Sequence, residues 1–143
     1  DKNKKLMLGG LEIENKSGFE ANSDGDVLLH ALFNALSTTI GYKSISFYAD
    51  DMCKRGITDS KKYVEFILDK VNEKGFKISN VAVMLEGKKP RIDEYIDKIK
   101  ASLSKLLKIK KENIGIAATS GEELTEFGKG RGMQCFAVVT LKS

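Results

Sequence analysis

The sequence predicts an α/β fold, more closely α+β: a mixed sheet with helices packed on it, folded as a single domain over residues 1–143. Three observations carry this reading. Apolar residues alternate on either side of Gly9-Gly10, they recur every three or four positions in three separate stretches, and three short apolar runs stand among those stretches. A chain of 143 residues is long enough to bury one core and too short for two ordinary ones.

In chain order, "LMLGGLEI" (6–13) sets Leu6 and Leu8, then Leu11 and Ile13, on alternate positions around the glycine pair, as a tight hairpin requires. From Asp26 to Ile40, Leu28, Leu32, Leu36 and Ile40 recur every four residues with Ala35 beside them. This is an amphipathic helix, with Ser23 or Asp24 as its cap and Gly41 as its end. The stretch "YKSISFYADDMCKRGIT" (42–58) reads as a long loop of the kind that often forms a functional lid. Asp59 or Ser60 opens a second helix whose Tyr63, Phe66, Ile67 and Val71 share a face, and Gly75 closes it. "NVAVMLEG" (80–87) is a short strand. Pro90, the sole proline, precedes a third helix carrying Ile92, Ile96, Ile99, Leu103 and Leu106. "NIGIAATS" (113–120) and "MQCFAVVTL" (133–141) are further strands. All three strands are apolar at consecutive positions, which predicts a sheet covered on both faces.

Composition excludes several classes. No run is long enough to cross a bilayer and no charged-then-apolar start resembles a signal peptide. Cys53 and Cys135 lack metal-ligand spacing and disulfide density, which suits a reducing cytoplasm. A net charge of +4 from scattered lysines biases the surface mildly toward anionic ligands and makes no nucleic-acid footprint. Lys98, Lys100, Lys105 and Lys108 read as a solvated helix face.

Candidate chemistry gathers in three segments. "NSDGDVLLHALFNAL" (22–36) holds the sole histidine, His30, four residues after Asp26 and able to share its helix face. Two readings stand: a helix residue paired with Asp26, or a metal ligand whose orientation a nearby acid fixes. "ATSGEEL" (118–124) follows a strand; its hydroxyls and backbone N–H groups suit a phosphate, and Glu122 suits a divalent cation. "FGKGRG" (127–132) adds Lys129 and Arg131 among glycines without the Walker spacing. In "EGKKPRI" (86–92) the proline restricts its neighbour and exposes backbone that could grip a base edge.

Taken in order and spacing, "LMLGGLEI", "ANSDGDVLLHAL", "NVAVMLEGKKPRI", "ATSGEEL" and "GKGRG" resemble the 2-C-methyl-D-erythritol 2,4-cyclodiphosphate synthase family, from Lys5 nearly to the end of the chain. The resemblance implies a homotrimer with active sites at subunit interfaces, in the cytoplasm or in a plastid-type organelle. It implies a lyase of non-mevalonate isoprenoid biosynthesis that cyclises 4-diphosphocytidyl-2-C-methyl-D-erythritol 2-phosphate with release of CMP. His30 matches a zinc ligand, the other two being an Asp-x-His pair on a first strand expected upstream of Asp1. Glu122 matches the ligand of Mg²⁺ or Mn²⁺. Ser23, Ser120 and Glu122 match catalytic positions. Asn22, Ser23, Asp50, Gly87, Pro90, Arg91, Ile92, Ala118, Thr119, Ser120 and Lys129 match substrate-binding ones. Several positions depart from the family pattern. Asn22 stands for a histidine, Tyr42 for the acid that holds the ribose, Asp50 or Asp51 for a shifted acid, Ala117 for a lysine and Arg131 for a glutamate. The altered ribose loop (Tyr42–Ser44) suits a second reading, a trimeric nucleotide- or phosphate-binding protein without turnover on the same scaffold.

Overall fold

The structure is a computed structural model that describes residues 5–17 (14–17 as backbone), 25–87, 92–119 and 133–143. Its elements run β1 (Lys5–Leu8), β2 (Leu11–Ser17), α1 (Val27–Thr39), α2 (Ile45–Lys54), α3 (Ser60–Glu73), β3 (Lys77–Glu86), α4 (Ile96–Leu107), β4 (Ile114–Thr119) and β5 (Gln134–Lys142). Short 3₁₀ turns at Asp93–Tyr95 and Lys111–Asn113 flank α4.

The hairpin forms as the alternation predicts. β1 and β2 pair antiparallel with Leu8 opposite Leu11, and Gly9 (φ +64) and Gly10 (φ +80) fill the two turn positions where φ must be positive. The main sheet has the order β4-β3-β5. β3 and β4 run parallel, Val81 opposite Ile114 through Glu86 opposite Thr119, so the chain needs a crossover between them, and α4 supplies it. β3 and β5 run antiparallel from Lys77 opposite Lys142 to Glu86 opposite Gln134, with one irregularity between Ile78 and Asn80. The sheet is therefore mixed, as expected.

α1 lies across β5 and against α3, while α4 packs on β4. The core fills the space between these layers with Leu28, Leu32 and Phe33, Val64 and Ile67, Ile99 and Leu103, against Val81, Val83 and Leu85. Leu107, more than Leu106, closes the α4 face. Lys98, Lys105 and Lys108 are exposed, as a solvated face should be.

Three sequence expectations need correction. Residues 42–58 are not a loop, since α2 occupies Ile45–Lys54. Ile45, Tyr48, Ala49 and Met52 fall at i, i+3, i+4 and i+7, a core-facing stripe. Ile45 and Met52 are buried, and the Tyr48 ring stacks between Phe33 and Phe66 at centroid distances of 5.8 and 5.3 Å. The cap of α1 is Asp26, not Ser23 or Asp24, because its carboxylate accepts the Leu29 N–H at 2.9 Å. Finally, among the described residues helices cover only one face of the main sheet. Met84, Phe136 and Val138 are 54%, 62% and 65% exposed on the other.

Candidate active site

The site grows from the start of α1. Asp26 is buried, and its carboxylate accepts Gly9 N–H at 2.9 Å and Leu29 N–H at 2.9 Å on Oδ1, and Gly10 N–H at 2.7 Å on Oδ2. The sequence spacing places Asp26 beside His30; in the structure its carboxylate turns to the hairpin turn instead, because that turn and the first turn of the helix offer it backbone donors. His30 sits one turn into α1, its backbone N–H on the Asp26 carbonyl at 3.0 Å and its side chain exposed. Desolvation holds the imidazole below its ordinary value of 6.5, whereas an acid pressed against it would raise it. The ring is therefore neutral near pH 7 and can offer a lone pair to a cation.

The second part is one end of the main sheet. Because β3 and β4 are parallel and β5 antiparallel, the chain leaves β3 after Glu86, leaves β4 after Thr119 and enters β5 at Gln134 on the same edge. Gly87 N–H donates to the Thr119 carbonyl at 3.0 Å, and Gln134 Nε2 donates to Glu86 Oε2, so the strand ends are tied together. Ligands of sheets with parallel strands commonly bind outside the carboxyl ends of those strands.

Cys135 lies opposite Leu85 in the register, one residue in from that sheet end, on the strand that α1 packs against. Burial first, and Asp26 second, push its thiol up to about 12. Cys135 is thus a protonated thiol and not a ready thiolate ligand.

Of the residues singled out in the sequence, Gly87, Ala118 and Thr119 stand at this end, with buried Ile92 five residues beyond Gly87, and His30 is on α1, which packs against β5. Asp50 is exposed on α2, which packs back along α1, with Ile45 N–H on Asn34 Oδ1 at 2.8 Å and the Tyr48 ring on Phe33. Tyr42 is at the carboxyl end of α1, its N–H on the Ser37 carbonyl at 2.8 Å and its ring 5.4 Å from Lys74 Nζ. Asn22, Ser23, Pro90, Arg91, Ser120, Glu122 and Lys129 lie outside the described residues. Sequence reasoning missed the Gln134–Glu86 pair and the use of Asp26 by the hairpin. The first has no local signal, while the second is foreshadowed by an Asp directly before an apolar helical run.

Among the described residues no three His, Cys, Asp or Glu side chains form a metal-binding group. A neutral, exposed imidazole on a rigid helix nevertheless fits one position of a zinc site. Among the described residues no helix is long and apolar enough to cross a membrane.

These features define an α+β domain in which helices cover one face of a mixed sheet and the two parallel strands end side by side. The chain belongs to the YgbB family, whose model matches residues 1–142. It is 39% identical over 142 residues to the 2-C-methyl-D-erythritol 2,4-cyclodiphosphate synthase of Chlamydia muridarum, covering 99% of this chain and 79% of that protein. A solved structure of a synthase of that name superposes with a TM-score of 0.89 at 29% identity, covering 99% of this chain and 93% of the other. Another, described as a bound form with CDP, gives 0.89 at 27% identity over the same shares.

Proposed function

We propose that this protein converts 4-diphosphocytidyl-2-C-methyl-D-erythritol 2-phosphate to 2-C-methyl-D-erythritol 2,4-cyclodiphosphate and CMP, a lyase step of non-mevalonate isoprenoid biosynthesis. One observation carries the reading: the parallel strands β3 and β4 end side by side, with Gly87 N–H on the Thr119 carbonyl at 3.0 Å, at one end of the sheet. The relatives named for this activity, and the CDP-bound form of a similar structure, support it.

The reaction forms a bond between a 2-phosphate oxygen and the β-phosphorus and breaks the bond from that phosphorus to the oxygen of the departing CMP. Positioning and charge neutralisation do most of the work in such a transfer. Backbone around Gly87–Ile92 grips the cytosine, and Ala118, Thr119 and Ser120 hold the diphosphate. Asn22 and Ser23, before α1, hold the 2-phosphate, with Lys129 adding positive charge. His30 would hold zinc together with ligands outside the described residues, and Glu122 would hold Mg²⁺ or Mn²⁺; both ions supply Lewis acidity toward phosphate oxygens.

Asp50, exposed on α2, takes part in binding the substrate. The open apolar face of Met84, Phe136 and Val138 supports assembly as a homotrimer. The discriminating experiment measures CMP release from the cytidine diphosphate substrate alongside bound zinc. The wild type should turn over and carry zinc, and His30→Ala should lose both while remaining an oligomer. Zinc-free wild type that binds CDP without releasing CMP from the substrate would leave the non-catalytic binding reading, which the altered Tyr42 favours.

A further inference from the structure

The turn Gly9-Gly10 is gripped from two helices. Its two N–H groups go to the Asp26 carboxylate of α1 at 2.9 and 2.7 Å, and its Gly9 carbonyl accepts from Ser102 Oγ of α4 at 2.7 Å. Neither glycine has room for more. A methyl at Gly9 would stand 2.8 Å from Ile99 Cγ2, and one at Gly10 would stand 3.0 Å from Lys61 Cδ of α3. The hairpin turn is therefore fixed against three helices, and the side chain joining it to α1 is Asp26, buried at 2% exposure. The same carboxylate holds Leu29 N–H at 2.9 Å, directly before His30.

We propose that Asp26 is a positioning residue for the site. Its carboxylate clamps the first turn of α1 to the Gly9-Gly10 turn and so sets the place from which His30 faces the sheet end. This rests on the reading of His30 as a zinc ligand, yet the chemistry of the clamp is independent of the metal. Two oxygens serve three backbone donors here. A carboxylate meets this demand because both oxygens accept. An asparagine of the same shape has one accepting oxygen, and its NH₂ would face an N–H, donor against donor. The first helical turn would then swing away from the hairpin, carrying the imidazole with it. Outer groups that orient metal ligands typically matter about 10–100-fold in metal affinity.

The test is Asp26→Asn, with Ser102→Ala as a second variant that frees only the Gly9 carbonyl. Zinc affinity is measured by competition with a chromophoric chelator, and the His30 ring proton is followed by NMR in zinc-free protein. The His30 signal is assigned as the one that His30→Ala removes. Asp26→Asn should bind zinc about tenfold more weakly while still folded, and should shift or split the His30 resonance. Ser102→Ala should weaken zinc roughly twofold to fivefold, as the loss of one hydrogen bond allows, and move the resonance less. Folded Asp26→Asn with an unchanged His30 signal and wild-type zinc affinity overturns the clamp. If Asp26→Asn fails to fold, a Ser102→Ala variant identical to wild type in both readouts overturns it. Wild-type protein that binds no zinc sinks the reading of the site instead, and the His30 resonance then decides the clamp alone.

Discussion

Along β3, Val83, Met84 and Leu85 follow one another as three apolar side chains of similar size, and they meet opposite fates. Val83 and Leu85 are 2% and 1% exposed under the helices, while Met84 between them is 54% exposed. The alternation continues on β5, where Ala137 and Val139 are half-buried against α1 and Phe136 and Val138 stand in the open. In the register Met84 faces Phe136 and Ala117, and Ala82 faces Val138, so the exposed side chains form a continuous patch. A strand of an ordinary one-sided sheet would place polar residues there. The helix-covered face therefore reports the fold of one chain, and the open face reports what the chain is built to meet.

The comparison can be broken from either side. Leu85→Ala on the covered face should cost about 2–5 kcal/mol of subunit stability, since the helices close only partly over the space left behind. Urea unfolding measures this, and an unchanged midpoint would mean that the covered face is not core. Phe136→Asp on the open face should leave the secondary structure intact by circular dichroism and turn the assembly into monomers in sedimentation. CMP release should fall with it, because the proposed active sites lie between subunits. A Phe136→Asp protein that stays oligomeric and active would remove this face from the interface.

The same contrast explains what was legible in the sequence. Leu28, Leu32 and Leu36 announce α1 because a helix on a sheet buries one stripe, and Gly9-Gly10 announces the hairpin because two adjacent positive φ angles demand glycine. The consecutive apolar residues of β3 and β5 predict a sheet with both faces covered, and among the described residues helices cover one face and leave Met84, Phe136 and Val138 open on the other. Helix α2 was illegible because its core-facing stripe is short and lies among Ser44, Ser46, Asp50, Asp51 and Lys54, a composition typical of a loop. The helix forms because Tyr48 finds Phe33 and Phe66, partners remote in sequence. Of the site, His30 and Thr119 could be singled out from local motifs. The place of Asp50 could not, as it depends on α2 packing back along α1 through Tyr48 and Phe33.

The smallest test sets two adjacent residues of β5 against each other. Cys135 is on the helix-covered side and Phe136 on the open side, so only Cys135 should register proton equilibria of the interior. Burial and the nearby Asp26 charge raise its thiol from 9.0 to about 12, so the folded state keeps a proton that the unfolded chain gives up. Between those values the native state binds more protons than the unfolded one, and stability falls as pH rises. The contribution is whole below pH 9 and is lost progressively above it. The quantity to follow is the difference in urea midpoint between wild type and Cys135→Ala, in which contributions common to both proteins cancel. That difference should be flat from pH 7 to 9 and should then move against the wild type by pH 10, the alanine variant having no thiol to ionise. Parallel curves for the two proteins across this range would mean that Cys135 is no more shielded than Phe136, and would place β5 differently beneath α1.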